Sequence, residues 1–113
     1  MGIMTTIDHR GKTYSGEVGT IADTFLGTED HGIFTFMLTF DFNGSGQGAG
    51  NYFLRENTAK MLQGVIDVLG VRSWEKLKGQ RAVALREDHG GLIVGIANLD
   101  TGKAVTFEEL AHG

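Results

Sequence analysis

The 113-residue sequence contains no cysteine and no proline, and its basic residues are few. Because cysteine is missing, disulfide bonds and thiolate metal sites are excluded, and the chain suits a reducing compartment. Because proline is missing, the turns depend on the eighteen glycines. Ten Lys and Arg residues against fourteen Asp and Glu residues give a formal net charge of −4. Without a dense basic cluster, that balance argues against a general nucleic-acid binder, whose affinity depends on neutralising phosphates.

Long apolar segments are missing as well. No run approaches the roughly 18 residues that a membrane-spanning helix requires, and the N-terminus lacks the basic flank and apolar core of a signal peptide. The length suits one compact domain, which we take to span residues 1–113. We therefore expect a soluble protein of the cytoplasm with no membrane partner.

The N-terminal half has the alternating pattern of β-strands. Segments 5–8 and 12–17 flank His9-Arg10-Gly11, which is typical of a hairpin, and the second strand can continue to Leu26. Glycines 16 and 19 in that strand indicate a bulge or a bend. The clearest strand covers residues 33–42. We expect the following side chains to share its buried face: Phe34, Phe36, Leu38, Phe40 and Phe42. The opposite face of this strand mixes polar and apolar residues and could line a cleft or an interface.

The C-terminal half mixes helix and strand. Residues 57–69 have an apolar stripe at helical spacing, Asn57 can cap its start, and Gly70 can end it. A helical turn at 73–77 and strands near 81–86 and 92–99 follow, and Thr106 with Glu109 forms a capping box for a short last helix. The predicted fold class is α+β, with a mostly antiparallel β-sheet and one principal α-helix packed on it.

A glycine stands at every second position from Gly44 to Gly50, in the segment FNGSGQGAGNY. The segment lacks the Gly-Lys-Ser/Thr ending of a nucleoside-triphosphate loop, and it does not open a helix as a dinucleotide fingerprint does. It can be a tight turn or a distorted edge strand, or it can let a ligand approach the backbone closely. In the last case we expect hydrogen bonds from Ser45 and Gln47, a stacking face from Tyr52 and a charge from Arg55. The predicted ligand-binding residues are Asp41, Gly44, Ser45, Gly46, Gln47, Gly48, Gly50, Tyr52, Arg55 and His31.

The tetrapeptide Glu-Asp-His-Gly occurs twice, at residues 29–32 and 87–90, each time between predicted strands. Carboxylates and imidazoles gathered from two turns are typical ligands of a divalent metal. The same residues are also good turn formers, because Asp, His and Gly tolerate positive φ. We favour the turn, keep a polar role for His31 or His89 as an alternative, and predict no metal site.

Catalytic motifs have little support. Gly44-Ser45-Gly46 has the wrong spacing for a nucleophile elbow, and the adjacent acid pairs point their side chains in diverging directions. We expect no catalytic residues and no cofactor. Trp74 lies among cations and could stack on a base, but a lone Trp is more often part of the core.

Several motifs together resemble one family. These are Leu26-Gly-Thr-Glu-Asp-His-Gly-Ile33, a phenylalanine-rich strand ending in Asp41, Gly44-Ser-Gly-Gln-Gly48 with Tyr52, and Leu69-Gly-Val-x-x-Trp74-Glu. The pattern is similar to that of small, mostly uncharacterised proteins encoded by tailed phages and prophages. The resemblance spans residues 24–99.

The resemblance implies a phage origin, and small phage proteins without catalytic motifs often act by occupying a host component. We therefore expect an anti-defence binding protein, not an enzyme, that sequesters a small nucleotide-like immune signal near the glycine segment. One alternative is an anti-CRISPR-like inhibitor that binds a host defence protein directly, for which a negative net charge is useful. Another is a small metal-dependent or hydrolytic enzyme that uses Asp30, His31 and His89. We expect a homo-oligomer in the cytoplasm of the infected bacterial host.

Overall fold

A computed structural model describes residues 2–53, 58–88 and 90–112. Within these residues, one sheet of seven strands dominates, in the order β4-β3-β2-β5-β6-β7 with β1 also paired to β2. The strands are β1 (Met4–His9), β2 (Lys12–Thr28), β3 (Phe34–Asp41), β4 (Gly46–Phe53), β5 (Arg81–Arg86), β6 (Gly95–Ala97) and β7 (Ala104–Thr106). The helices are α1 (Thr58–Leu69) and α2 (Phe107–His112), and a 3₁₀ turn covers Trp74–Leu77.

The pairing of the strands is antiparallel throughout the ladders, and one isolated parallel bridge joins Ala49 to Ile93. The predicted, mostly antiparallel sheet is therefore confirmed. The single principal helix is only loosely supported, since α1 and α2 both place buried side chains against the sheet, for example Met61 and Leu110. Strand β7 was not expected from the sequence, because three residues are too few to show a period.

Strand β2 is the axis of the sheet. Its first part pairs with β1 on one edge and with β5 on the other, and its second part, from Thr20 onward, pairs with β3. The predicted bulge lies between Ile21 and Asp23, not at the two glycines. Gly16 and Gly19 serve close packing instead, because a Cβ at Gly19 would lie 2.6 Å from the ring of Phe42.

The first hairpin forms as the sequence predicts. Arg10 and Gly11 have φ values of 52° and 79°, the left-handed pair that a two-residue hairpin turn requires. Gly11 adopts this conformation freely, and Arg10 adopts it at some cost because it carries a Cβ. The turn fixes the register, so that His9 stands opposite Lys12 and Ile7 opposite Tyr14.

The two faces of the sheet are both covered near β5. On one face, Phe36, Leu38 and Phe40 pack with the helices, and on the other a second cluster contains Tyr14, Val18, Val83, Leu85 and Ala97. Phe34 departs from the predicted buried face because it lies near the end of the β2–β3 hairpin, and it is 42% exposed.

Helix α1 ends as predicted, with Gly70 at a φ of +68°. Its apolar stripe faces the core, although Val68 is buried there and Leu62 and Ile66 are only half-buried. The predicted cap, Asn57, lies outside the described residues. No helix in the described segments has the length and apolarity needed to cross a membrane.

Candidate functional site

The start of the glycine segment is a turn that the chain closes with its own groups. The Gly44 N–H donates to Asp41 Oδ1 at 2.9 Å, and the Phe42 N–H donates to the carbonyl of Ser45 at 2.7 Å. Asn43 and Gly44 have φ values of 58° and 102°. Asp41 thus has a structural role in this turn, while Ser45 and Gly46 stay exposed.

The later glycines lie in β4 and give room to neighbouring side chains. A Cβ at Gly48 would lie 2.9 Å from the sulfur of Met37, and one at Gly50 would lie 2.6 Å from the ring of Phe36. Gly50 also has a φ of +102°. Gly50 is therefore explained by packing together with its backbone conformation, and a side chain at Gly48 would require Met37 to move.

Gln47 belongs to a buried polar network whose central residue is Arg86. Arg86 Nη2 donates to Gln47 Oε1 at 2.5 Å, and Gln47 Nε2 donates to the carbonyl of Gly91 at 3.2 Å. Arg86 Nε donates to the same carbonyl at 3.0 Å, and Arg86 Nη1 donates to Glu17 Oε1 at 2.9 Å. The second carboxylate oxygen of Glu17 accepts from the Gly2 N–H at 2.8 Å.

This network is buried, since Glu17 and Arg86 are only 8% and 5% exposed. The guanidinium also lies over the ring of Phe42, at 5.2 Å from its centroid. Each nitrogen of the Arg86 fork has an acceptor, which is the condition under which a buried ion pair is tolerated. Local sequence patterns could not have revealed the network, because its three side chains, those of Glu17, Gln47 and Arg86, lie on three different strands.

His31 lies in the first Glu-Asp-His-Gly turn. Its side chain is 83% exposed, and Nδ1 lies 3.1 Å from Glu29 Oε2. The His31 N–H donates to Glu29 Oε1 at 2.6 Å, Gly32 has a φ of +80°, and the contact with His31 lowers the pKa of Glu29. These contacts support the turn interpretation of this tetrapeptide.

The remaining predicted residues are placed only in part. Arg55 and His89 lie outside the described residues, and so does the side chain of Tyr52. Among the residues that are described, no group of three or more His, Asp or Glu side chains converges as a metal site would require. The ligand-binding role of the glycine segment and of His31 stays a prediction.

A different set of polar residues surrounds a cavity at the first hairpin. The cavity has a volume of about 470 Å³ and lies between the β1–β2 turn and the start of α2; we call it the hairpin cavity. The residues that line it are His9, Arg10, Lys12, Tyr14, Thr106, Glu108 and Glu109.

The two sides of the hairpin cavity come from opposite ends of the chain. The tight turn places His9 opposite Lys12, on the face of the hairpin that carries Tyr14. On the other side, α2 begins directly after β7, and the predicted capping box fixes Glu109. The Thr106 N–H donates to Glu109 Oε1 at 2.7 Å, and the Glu109 N–H donates to Thr106 Oγ1 at 3.3 Å.

Glu109 joins the two sides. His9 Nε2 lies 2.6 Å from Glu109 Oε1, and Arg10 Nη1 donates to Glu109 Oε2 at 2.8 Å. Burial of the carboxyl group opposes its ionisation, but the Thr106 N–H, Arg10 and His9 outweigh burial and lower the pKa of Glu109 to about 2. The carboxylate is therefore charged near neutral pH and holds both hairpin residues in place.

The cationic groups of the hairpin cavity keep capacity for a ligand. The Arg10 side chain is 71% exposed, and a guanidinium has five N–H donors in a planar fork. Lys12 Nζ lies 3.1 Å from Glu87 Oε1 and 5.4 Å from the centroid of Tyr14. The hydrogen bond to Glu87 raises the pKa of Lys12, so the ammonium stays charged.

A second cavity, of about 630 Å³, lies along the same hairpin. Its walls carry the hydroxyl groups of Thr5, Thr6 and Ser15 together with the carboxylates of Glu87 and Asp88. The described lining of this cavity contains no Lys or Arg to offset the two carboxylates, which disfavours an anionic ligand there. In the hairpin cavity, Arg10 and Lys12 offset the carboxylates of Glu108 and Glu109. The sequence does show these cations close together, but the contribution of Glu109 could not be read from it, because Glu109 is 100 positions from His9.

Comparisons of the chain with protein-family models, with curated proteins and with solved structures gave no match.

Proposed function

We propose that the chain is a binding protein that takes a small, phosphate-bearing ligand of the nucleotide class into the hairpin cavity. The observation that carries this proposal is the cluster of His9, Arg10 and Lys12 beside Tyr14, around a cavity of about 470 Å³. Small-molecule sites in proteins are typically concave, with volumes of roughly 300–1,000 Å³. The proposal moves the ligand away from the glycine segment, whose Gln47 is held inside the protein.

The wall chemistry favours a ligand with both anionic and hydroxyl groups. The guanidinium of Arg10 can bind a phosphate through two parallel hydrogen bonds, and Lys12 adds a point charge. Glu108 is exposed at the rim and can accept hydrogen bonds from ribose hydroxyls. A free phosphate gains less than a nucleotide, because the carboxylates of Glu108 and Glu109 repel an ion that offers them no donor.

The biological role that we propose follows the phage resemblance. A phage protein of this kind acts in the cytoplasm of the infected host by sequestering the nucleotide-like signal that activates an immune effector. Sequestration needs affinity and no chemical step, and the cations and the aromatic wall of the hairpin cavity can supply that affinity.

A thermal-shift screen tests the proposal. The purified chain is heated with cyclic oligonucleotides, cyclic ADP-ribose isomers and common nucleotides, because a ligand of the native state raises the melting temperature by mass action. We expect a selective rise with one nucleotide class. In titration calorimetry with that nucleotide, Arg10→Gln and Lys12→Gln should each weaken binding about tenfold, the effect of about 1.4 kcal/mol from one lost charge-assisted contact.

Two further variants locate the site. Lys60→Gln removes a cation from α1, and Lys60 does not line the hairpin cavity; binding should be unchanged. Ser45→Ala probes the glycine segment at an exposed residue, and it too should leave the affinity unchanged. A flat panel with folded protein would overturn the proposal and favour an inhibitor that binds a host defence protein. A loss of binding in Ser45→Ala alone would return the ligand to the glycine segment.

A further inference from the structure

A third cavity, of about 410 Å³, lies at the end of α1, between the start of β5 and the turn that follows β6. Strand β5 begins at Arg81, but its ladder with β6 ends at Val83 and Ala97. The cavity lies beyond the end of that ladder, and we call it the wedge cavity. Its described lining shares no residue with that of the hairpin cavity. The lining includes Leu69, Gln80, Arg81, Asn98, Leu99 and Asp100.

Hydrogen bonds fix the backbone on both walls of the wedge cavity. Asn98 Nδ2 donates to the carbonyl of Val68 at 3.1 Å, which ties the turn after β6 to α1. Asn98 Oδ1 accepts from the backbone N–H of Asp100 at 2.8 Å. On the opposite wall, the Gly79 N–H donates to the carbonyl of Ile21 at 2.7 Å. The backbone of the cavity is therefore pre-formed, which lowers the entropy cost of binding a ligand there.

Two opposite charges line the wedge cavity without neutralising each other. They are the guanidinium of Arg81 and the carboxylate of Asp100, and both residues are exposed, so that a ligand can reach them. Among the described residues, no ion pair includes either group. The guanidinium therefore keeps donors for a bound molecule, and the carboxylate keeps acceptors.

The end of α1 adds to the negative side of the wedge cavity. Leu69 is the last residue of α1, and the last turn of this helix contains no basic residue. The helix itself therefore leaves the negative end of its dipole uncompensated, which favours a cation nearby. Leu69 and Leu99 also give the cavity apolar surface. The lining thus combines a cationic group, an anionic side and an aliphatic wall.

We propose that the wedge cavity binds a free α-amino acid with an aliphatic side chain. The ligand carboxylate can accept two parallel hydrogen bonds from the guanidinium of Arg81. The ligand ammonium can donate to the Asp100 carboxylate near the end of α1, and its side chain can contact Leu69 and Leu99. A simple anion would be repelled by Asp100, and a simple amine would be repelled by Arg81. A zwitterion therefore suits this lining better than either.

Titration with L-valine, L-leucine and L-isoleucine tests the proposal. Nuclear magnetic resonance of the isotope-labelled chain follows each backbone amide. At millimolar concentration we expect saturable signal shifts, concentrated at residues 79–81 and 98–100. N-acetyl-L-leucine lacks the ammonium charge and L-leucinamide lacks the carboxylate, so each should bind about tenfold more weakly than L-leucine for the loss of one charge-assisted contact.

Three outcomes of the titration would overturn the proposal. One is a folded chain that gives no saturable shift with any of the three amino acids. Another is equal binding of L-leucine and its two derivatives, because the cavity would then not recognise a zwitterion. The third is a set of shifts at the hairpin cavity instead of the wedge cavity.

Charge-removing variants identify the groups that bind the ligand. Arg81→Gln and Asp100→Asn should each weaken the binding of L-leucine about tenfold. Both residues are exposed, so we expect the fold to persist, and circular dichroism checks it. Arg72→Gln is the matched control, because Arg72 is an exposed cation outside the described lining, and it should leave binding unchanged. Variants of Arg81 and Asp100 that bind L-leucine as the wild type does would contradict the proposed roles.

Discussion

At the scale of single residues, one buried ion pair is central to the stability of the sheet. Arg86 Nη1 lies 2.9 Å from Glu17 Oε1, and both residues are buried. Gln47 accepts a further hydrogen bond from the same guanidinium. The interaction is stable only while every member is present, since each charge is compensated by the others. Removing one member should therefore lower the free energy of unfolding by far more than the single lost contact would.

Glu17→Gln should lower the free energy of unfolding by about 3–5 kcal/mol, because Arg86 would keep an uncompensated charge in the interior. The double variant Glu17→Gln/Arg86→Met should be less destabilised than the sum of the two single variants, because no buried charge remains. Urea unfolding measures all three. Glu75→Gln, at an exposed residue, is the control and should stay within about 0.5 kcal/mol. Additive effects would show that the two side chains do not interact.

Strand β4 shows what an element requires of its residues. The sequence marks its glycines but cannot distinguish a glycine that a ligand needs from one that a neighbour needs, because both leave the same gap in the pattern. The structure distinguishes Gly50, with the ring of Phe36 above it, from Gly46, which adopts no positive φ. The neighbour that makes glycine necessary at position 50 is Phe36, which belongs to β3, so only the tertiary structure distinguishes the two glycines.

Gly50→Ala should destabilise the protein by about 2–3 kcal/mol, since it combines backbone strain at φ +102° with overlap at 2.6 Å from a buried ring. Gly46→Ala is the matched control, because its nearest neighbour would be a carbonyl oxygen at 3.4 Å. Its effect should stay within about 0.5 kcal/mol. Melting curves of both variants give the comparison, and equal losses would contradict the assignment of Gly50 to packing.

At the scale of the whole molecule, Glu109 connects the two ends of the chain. Its folded pKa of about 2 lies below the ordinary value of 4.5, so the folded state binds the proton more weakly than the unfolded state. The stabilisation is complete above the ordinary pKa and is lost as the pH falls toward 2. Acid should therefore loosen the first hairpin from α2.

The unfolding midpoint in urea at pH 6 and at pH 3 checks this expectation. The wild-type chain should lose about 1 kcal/mol more stability over this interval than Glu109→Gln, after allowance for the partial solvent exposure of the carboxylate. Glu109→Gln keeps all the other carboxyl groups, so its pH dependence is the control for their contribution. A pH dependence that is the same in both proteins would show that Glu109 has no favoured partner in the folded state.

The sequence by itself determined the local elements of this protein. The hairpin at His9 to Lys12, the end of α1 at Gly70 and the capping box at Thr106 all depend on residues within a few positions of each other, so their physics is present in the sequence. Only the tertiary structure decided that Gln47 belongs to a buried network, that Phe34 is exposed and that Glu109 reaches His9. These outcomes depend on contacts between residues tens of positions apart, and such contacts exist only once the strands and helices have packed together.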